Sequence, residues 1–230
     1  MKIKLMLAAA ATVMAGTAMA QSAFEGFYAQ VGIGLNEAMP KADNVSLTVN
    51  NGPFAGQYAR NTSYSNTAAF TGAVTLGYNY AINKDFLLGL GVDYSPVAGK
   101  TGNATTVGAA GVKTYSTYKT LNHFNVFLSP AYAVDKDKLI YGKVGYSQSE
   151  TQVDFESLDS PNHTSSGYVL GLGYKQIIKG GFYGFAEGNY FVYNPSTYSV
   201  SSSNAGVSFT SSQNISSTSY NLLVGVGYKF

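Results

Sequence analysis

Polar and apolar residues alternate one by one along many segments of about ten residues in this chain. In residues 27–35, one set of alternate positions holds Phe, Ala, Val, Ile and Leu, and the other holds Tyr, Gln and two Gly. Side chains of a β-strand point to opposite faces in turn, so this period of two predicts a strand with one apolar face and one small or polar face. A helix would require a period of 3.6 and would be weakened by the glycines.

The same pattern recurs in seven further segments, so we expect eight strands. The additional segments lie near 69–81, 86–95, 118–133, 139–151, 166–176, 182–193 and 219–230. Short connections at 83–85, 135–138 and 179–181 alternate strictly with long ones at 36–67, 96–117, 152–165 and 194–218. This alternation is typical of an antiparallel up-and-down meander in which every long loop lies at one end.

The composition is unusual for either a soluble domain or a helical membrane protein. Only 11% of the residues are charged, 14% are aromatic and 26 are glycine, and the mean hydropathy is zero. After residue 20, the chain contains no run of 18 apolar residues that would form a transmembrane helix. A barrel with an apolar exterior, a small polar interior and uncharged loops accounts for all of these averages.

Tyrosines fall at both ends of the apolar strand faces. Near the short turns or the C-terminus are Tyr78, Tyr132, Tyr174 and Tyr228, and near the long loops are Tyr94, Tyr146, Tyr168, Tyr190 and Tyr220. Tyrosine combines an apolar ring with a polar hydroxyl, so two such girdles suit the two interfaces of a bilayer. We therefore predict an all-β fold, an eight-stranded antiparallel up-and-down transmembrane β-barrel with short periplasmic turns and long extracellular loops. A soluble lipocalin-like barrel is the structural alternative.

Closure of the barrel requires the first and last strands to pair. Backbone polar groups must be satisfied within the protein when they lie in hydrocarbon, so an open sheet edge would be costly there. We expect residues 27–35 to pair antiparallel with residues 220–230.

The first twenty residues read as a cleaved secretory signal peptide. Lys2 and Lys4 give a positive start, residues 5–13 form an apolar centre, and residues 18–20 are Ala-Met-Ala, a small-x-small cleavage site. The barrel domain would then occupy residues 21–230, in the cell envelope.

The strands at the two ends of this domain carry a family resemblance. The opening Gly-Phe-Tyr-Ala-Gln-Val-Gly-Ile-Gly at 26–34 and the closing Leu-Leu-Val-Gly-Val-Gly-Tyr-Lys-Phe at 222–230 resemble the small outer-membrane β-barrel superfamily. Its members include the OmpA transmembrane domain, OmpX-like proteins and neisserial opacity proteins. The resemblance implies residence in the outer membrane of a Gram-negative bacterium, in contact with lipid and lipopolysaccharide. The terminal pair Tyr228 and Phe230 resembles the signal read by the β-barrel assembly machinery, with periplasmic chaperones as partners during biogenesis. We expect no periplasmic OmpA-type domain.

Polar residues on the inward faces form the candidate site. Gln30, Asp93, Lys143 and Glu187 all belong to inward-pointing sets, and an eight-stranded barrel is narrow enough for side chains to fill it. We predict a buried Lys143–Glu187 pair within a polar network, because an unpaired charge would be very costly there. A salt bridge that fills the barrel is the structural interpretation, and a proton path or catalytic dyad is the functional one.

Other chemistry is poorly supported by the sequence. The chain has no cysteine, and a single arginine among balanced charges gives no basic face for nucleic acid. His123 and His163 are the two histidines, and Asp159 beside His163 is a weak metal candidate. We expect no catalytic residues, cofactor or metal.

These observations favour a non-enzymatic, monomeric outer-membrane protein that contributes to envelope structure or makes adhesin-like surface contacts through its loops. Residues 194–219 support this, since 17 of the 26 are Ser, Thr or Asn and none is charged. A host or cell-surface ligand of the loops and loops without any partner both stay open. The alternatives are a narrow pore for small solutes and, with less support, a lipid-modifying enzyme.

Overall fold

The computed structural model of the chain describes residues 22–43, 45–97, 102–107, 113–155, 163–204 and 206–230. The predicted signal peptide and Gln21 therefore lie outside the described residues. Eleven strands follow one another: β1 Gly26–Ala42, β2 Val45–Val49, β3 Gly56–Tyr64, β4 Thr67–Ala81, β5 Phe86–Val97, β6 Gly102–Val107, β7 Lys113–Ala133, β8 Lys138–Phe155, β9 His163–Lys179, β10 Phe182–Asn204 and β11 Val207–Lys229.

Eight of these strands close into an antiparallel ring in the order β1-β4-β5-β7-β8-β9-β10-β11, with β11 returning to β1. In the closing pair, Tyr28 lies opposite Lys229 and Leu35 lies opposite Leu222. The predicted eight-stranded meander and the predicted pairing of its first and last strands are thus confirmed. The short turns fall where the sequence placed them, between β4 and β5, β7 and β8, and β9 and β10.

The other three strands continue the ring beyond the long-loop end. Ala38 of β1 lies opposite Thr67 of β4, and seven residues further along, Val45 of β2 lies opposite Arg60 of β3. The register is unchanged, so β1 and β2 are two parts of one long strand, as are β3 and β4. β2 also pairs with β11, and β3 pairs with β6.

Much of what the sequence predicts as long loops is therefore strand, which corrects the predicted loops. Strands β2 and β3 occupy most of 36–67, and the hairpin of β10 and β11 occupies most of 194–218. Hydroxyl and amide side chains stabilise this hairpin across the strands: Thr197 Oγ1 donates to Asn214 Oδ1 at 2.7 Å, and the Ser199 and Ser212 hydroxyls lie 2.9 Å apart. The alternation in residues 199–209 already indicates in the sequence that strands extend into this region, although Ser and Thr on both faces leave only a weak apolar period.

Exterior and interior follow the alternation of the sequence. Outward apolar residues such as Val31, Ile33 and Leu35 are more than half exposed (53%, 55% and 63%), whereas the residues between them face the lumen. Among the described residues, no helix is long and apolar enough to cross a bilayer. The exposed apolar surface is the kind that lipid covers.

The lumen is filled by side chains along its length. At the short-turn end, a buried cluster packs Phe24, Leu87 and Leu139 with Ala131, Ala133 and Tyr141. The main-chain oxygen of Phe24 accepts a hydrogen bond from Asn79 Nδ2 at 3.0 Å, which fixes the N-terminal segment inside the ring. Near the other end, Val169, Phe191 and Tyr193 form a further buried cluster. The polar residues lie between these layers.

Candidate functional site

The centre of the lumen contains a buried ionic triad. Lys143 of β8, Asp93 of β5 and Glu187 of β10 point inward from strands around the ring and are 3%, 5% and 5% exposed. Lys143 Nζ lies 2.6 Å from Glu187 Oε1 and 2.8 Å from Asp93 Oδ2. One ammonium therefore bridges two carboxylates, where the sequence reading pairs it with Glu187 and places Asp93 nearby.

Neutral side chains complete the hydrogen bonding of both carboxylates. Glu187 accepts from Tyr141 Oη at 2.6 Å and from Asn189 Nδ2 at 2.7 Å. Asp93 accepts from Thr75 Oγ1 at 2.7 Å and from Asn125 Nδ2 at 3.4 Å. Buried carboxylates with several donors are held in place, so the triad acts as a rigid crosslink between strands.

Gln30 joins the same network through Thr75. Its Nε2 donates to Thr75 Oγ1 at 3.4 Å, and its Oε1 accepts from Tyr183 Oη at 3.0 Å. The structure thus brings all four predicted interior residues into one connected set. Gly171 provides the space for it, since a Cβ there would lie 2.4 Å from Asn189 Oδ1 and 3.2 Å from Lys143 Cβ.

A second buried lysine, Lys175, is absent from the sequence-based candidates. It is 4% exposed, and its Nζ lies 3.8 Å from the centre of the Tyr28 ring, 5.0 Å from that of Tyr141 and 5.1 Å from that of Tyr183. Three aromatic faces stabilise a cation by cation–π attraction. No carboxylate in the described part of the chain forms an ion pair with it.

Lys175 also balances the formal charge of the lumen. Two buried lysines face two buried carboxylates at the level of the triad and just below it. The alternation of outward and inward residues could have identified Lys175 as inward, because it directly follows the outward Tyr174. No acidic residue in the sequence indicates an ion-pair partner for it.

His123 forms a separate cluster above the triad. Its Nε2 lies 2.8 Å from Ser147 Oγ and 2.8 Å from Tyr193 Oη, and the Phe191 ring packs on its edge at 4.4 Å. The cluster forms the floor of a cavity of about 50 Å³ that is lined by His123, Tyr193 and hydroxyl side chains. No catalytic-triad motif surrounds this histidine in the sequence, and its position at the floor of the cavity follows only from the fold.

This cluster does not present a nucleophile to substrate. Ser147 is fully buried, and the His123 ring hydrogen-bonds to Ser147 and Tyr193 rather than to a carboxylate. A serine nucleophile requires both an exposed hydroxyl and a base that is oriented by a third group.

The metal candidate cannot be assembled from the described residues. Asp159 lies outside them, and in the described part of the chain no group of three His, Asp or Glu side chains could hold a metal ion.

The tyrosines of the two predicted girdles all lie on the outward faces. Tyr94, Tyr132, Tyr146, Tyr168, Tyr174, Tyr190, Tyr220 and Tyr228 are between 37% and 49% exposed, and Tyr78 packs edge-on against Phe27 at 4.7 Å. Tyr146 lies opposite Tyr168, and Tyr190 opposite Tyr220. Phe230, the last residue, is outward as well and packs on Tyr228 at 5.1 Å.

Two solved structures resemble this one in fold. The outer membrane protein OprG from Pseudomonas aeruginosa is 14% identical, with 90% of this chain and 96% of that chain covered and a TM-score of 0.58. The outer membrane protease OmpT from Escherichia coli is 12% identical, with 90% and 97% covered and a TM-score of 0.51. At these identities the likeness concerns the fold alone. No curated protein matches the sequence significantly.

The sequence itself identifies the family. The sequence model of the family described as outer membrane protein beta-barrel domain matches residues 6–230, nearly the whole chain. Ring closure, the apolar exterior and the polar lumen agree with that match, and an outer-membrane location follows from it. The chain belongs to the outer membrane protein beta-barrel domain family.

Proposed function

We propose that this protein is a non-enzymatic, non-conducting outer-membrane protein that acts at the cell surface through the strands above its barrel. One observation carries the proposal: the lumen is filled with bonded side chains, while strands continue beyond the membrane as a hydroxyl-rich surface whose hairpin at 194–218 carries no charge. A filled eight-stranded barrel is an anchor rather than a passage.

The filled lumen argues against the narrow-pore alternative. A solute would have to displace the ionic triad and then the apolar cluster around Phe24, which is 2% exposed. Separating a buried ion pair leaves uncompensated charge and is strongly unfavourable. We therefore expect no steady conductance when the purified protein is inserted into a planar bilayer, and stable ohmic steps would overturn this part of the proposal.

The extension above the barrel supplies the contact surface. Side chains of Ser, Thr and Asn offer donors and acceptors that adapt to varied partners. At its tip, Phe54 is 75% exposed and Tyr58 is 40% exposed, and Tyr58 Oη donates to the Phe54 carbonyl at 2.9 Å. Exposed aromatic side chains beside polar groups are typical anchors of contact surfaces.

The experiment compares cells that express the full protein with cells that express a variant in which residues 198–213 are replaced by a short Asn-Gly turn. This removes the outer part of the hairpin and keeps the Thr197–Asn214 pair and the strand pairing below it. We expect equal surface levels and heat-modifiable migration but reduced attachment to a panel of host cells and extracellular-matrix proteins. Equal attachment by both proteins would refute a contact role for the hairpin.

A further inference from the structure

A groove runs along the outer face of the barrel over β10. The outward positions of this strand between Phe182 and Tyr190 are Gly184, Ala186 and Gly188, so the floor carries almost no side chain. The lower part of the groove has a volume of about 560 Å³ and is walled by Tyr174 and Ile178 of β9. This volume lies in the range of roughly 300–1,000 Å³ that ligand sites occupy.

The apolar side chains that wall the groove are unusually exposed, because the residues of its floor are small. Leu172 is 75% exposed and Ile178 is 71% exposed, more than the other large apolar side chains on the described barrel wall. Leu172 lies between Gly142 on one neighbouring strand and Gly188 on the other. It therefore forms a ridge beside the groove.

Packing within the chain does not require the glycines of the floor. A Cβ at Gly184 would meet only ordinary contacts, at 3.8 Å from Ile178 Cδ1, and a Cβ at Gly188 would meet the mobile end of Leu222 at 3.3 Å. At the lumen glycine Gly225, by contrast, a Cβ would lie 2.1 Å from the Val31 carbonyl oxygen. The small residues on the floor thus make room for something outside the chain.

The short-turn end of the groove is polar. Gln176 lies opposite Gly184 on one side and opposite Lys138 on the other, so these three residues form one row across the wall. Tyr174 Oη donates to Gln176 Oε1 at 2.9 Å. The Lys138 ammonium lies 2.8 Å from Asp135 in the adjoining turn and is 43% exposed. An apolar trench that leads to an amide and a cation is complementary to an amphiphile with an anionic head.

We propose that this groove is a binding site for a glycerophospholipid of the periplasmic leaflet, with an acyl chain along Gly184 and Ala186 and the phosphate at Gln176 and Lys138. The site is continuous with the lipid-covered surface of the barrel. Its aromatic ends, Phe182 and Tyr190, bound the length of chain it accommodates.

The test uses native mass spectrometry of the purified protein, incubated in detergent with phosphatidylglycerol and then released from the micelles. Wild-type protein is compared with the double variant Gly184→Leu, Ala186→Leu, which fills the groove. The matched control is Gly72→Leu, which adds a leucine at an outward glycine where a Cβ meets only the Gly32 carbonyl, at 3.6 Å. Heat-modifiable migration verifies the folding of each variant.

We expect one retained phospholipid on the wild type and on Gly72→Leu, and retention reduced by about tenfold in the double variant, equivalent to the lost contacts of roughly two methylene groups. Lys138→Gln reduces retention of phosphatidylglycerol more than that of phosphatidylcholine. Equal retention by all variants overturns the proposal. If the wild type and Gly72→Leu are dimers and the double variant is a monomer, the groove binds a second copy of the chain, and the lipid proposal is overturned. The proposed surface function would stand in that case.

Discussion

Removal of Lys143 is the sharpest test of the buried triad. Lys143→Met keeps the length of the side chain but leaves Asp93 and Glu187 facing a site that no longer contains a cation. In the native lumen the ammonium lies 2.8 Å and 2.6 Å from these carboxylates. Removing one partner of a buried ion pair costs about 3–5 kcal/mol, because the remaining charge is uncompensated.

That loss is large on the scale of protein stability. Folded domains are stable by about 5–15 kcal/mol, and a loss of 1 kcal/mol lowers the melting temperature of a chain of this size by roughly 2–4 °C. We therefore expect Lys143→Met to unfold at least about 6 °C below the wild type. Lys136→Met, which removes an exposed turn lysine, should change the free energy of unfolding by less than about 0.5 kcal/mol.

The measurements are thermal unfolding and urea unfolding in lipid vesicles, both followed by circular dichroism because the chain has no tryptophan. A double variant, Lys143→Met with Asp93→Asn, should recover part of the loss, since it restores the balance of formal charge between the buried lysine Lys175 and the buried carboxylate Glu187. If Lys143→Met unfolds within about 1 kcal/mol of the wild type, the triad is not the crosslink described above.

Three further outcomes follow from the structure. Gly225→Ala should destabilise the barrel by about 1–3 kcal/mol in the same urea assay, because the new Cβ would lie 2.1 Å from the Val31 carbonyl oxygen. Gly142→Ala, whose Cβ would have its nearest contact at 3.7 Å, should leave the free energy of unfolding unchanged. Equal effects of the two substitutions would contradict this prediction. Tyr190→Ala should cost about 1 kcal/mol through loss of the aromatic residue directly opposite Tyr220 on the neighbouring strand, and Tyr190→Phe should cost less; a loss in Phe as large as in Ala would show that the hydroxyl matters more than the ring. Lys138 and the Asp137 main-chain N–H hydrogen-bond to Asp135 and lower the pKa of its carboxyl below the ordinary 3.8, so the small stability this turn contributes is present above that value and lost as the pH falls below it. Asp135→Asn should therefore lie slightly below the wild type at pH 7 and closer to it at pH 3 in urea titrations, and a larger difference at pH 3 would reverse the sign.

The eight ring strands could be predicted because each has one face in lipid and one in a narrow lumen. That environment imposes a period of two, and the parity of one outward tyrosine assigns the face of every residue on its strand. Gln30, Asp93, Lys143 and Glu187 were placed inward by this argument. Their mutual distances were not predictable, since these depend on the stagger between strands rather than on the pattern within one strand.

Two features escaped the sequence for different physical reasons. Strands β3 and β6 are mostly polar and lack an apolar period, whereas the alternation of Val45, Leu47 and Val49 in β2 covers only five residues inside a long polar segment. Lys175 obeys the parity rule, but its stabilising partners are tyrosine rings, and aromatic residues on inward faces do not by themselves indicate a cation. In the sequence, a salt bridge is indicated by opposite charges at the same height on inward strand faces. The packing of a lysine against aromatic rings can be recognised only in the folded structure.

Orientation in the outer membrane is the claim on which the whole account depends, and the absence of cysteine from the chain makes it directly measurable. Single cysteines are introduced at Ser201, in the hairpin of β10 and β11, and at Lys136, in the turn between β7 and β8, and intact cells are treated with a membrane-impermeant maleimide. We predict that Ser201→Cys is labelled on intact cells and that Lys136→Cys is labelled only after the outer membrane is permeabilised. Labelling of Lys136→Cys on intact cells, or protection of Ser201→Cys, would contradict the account.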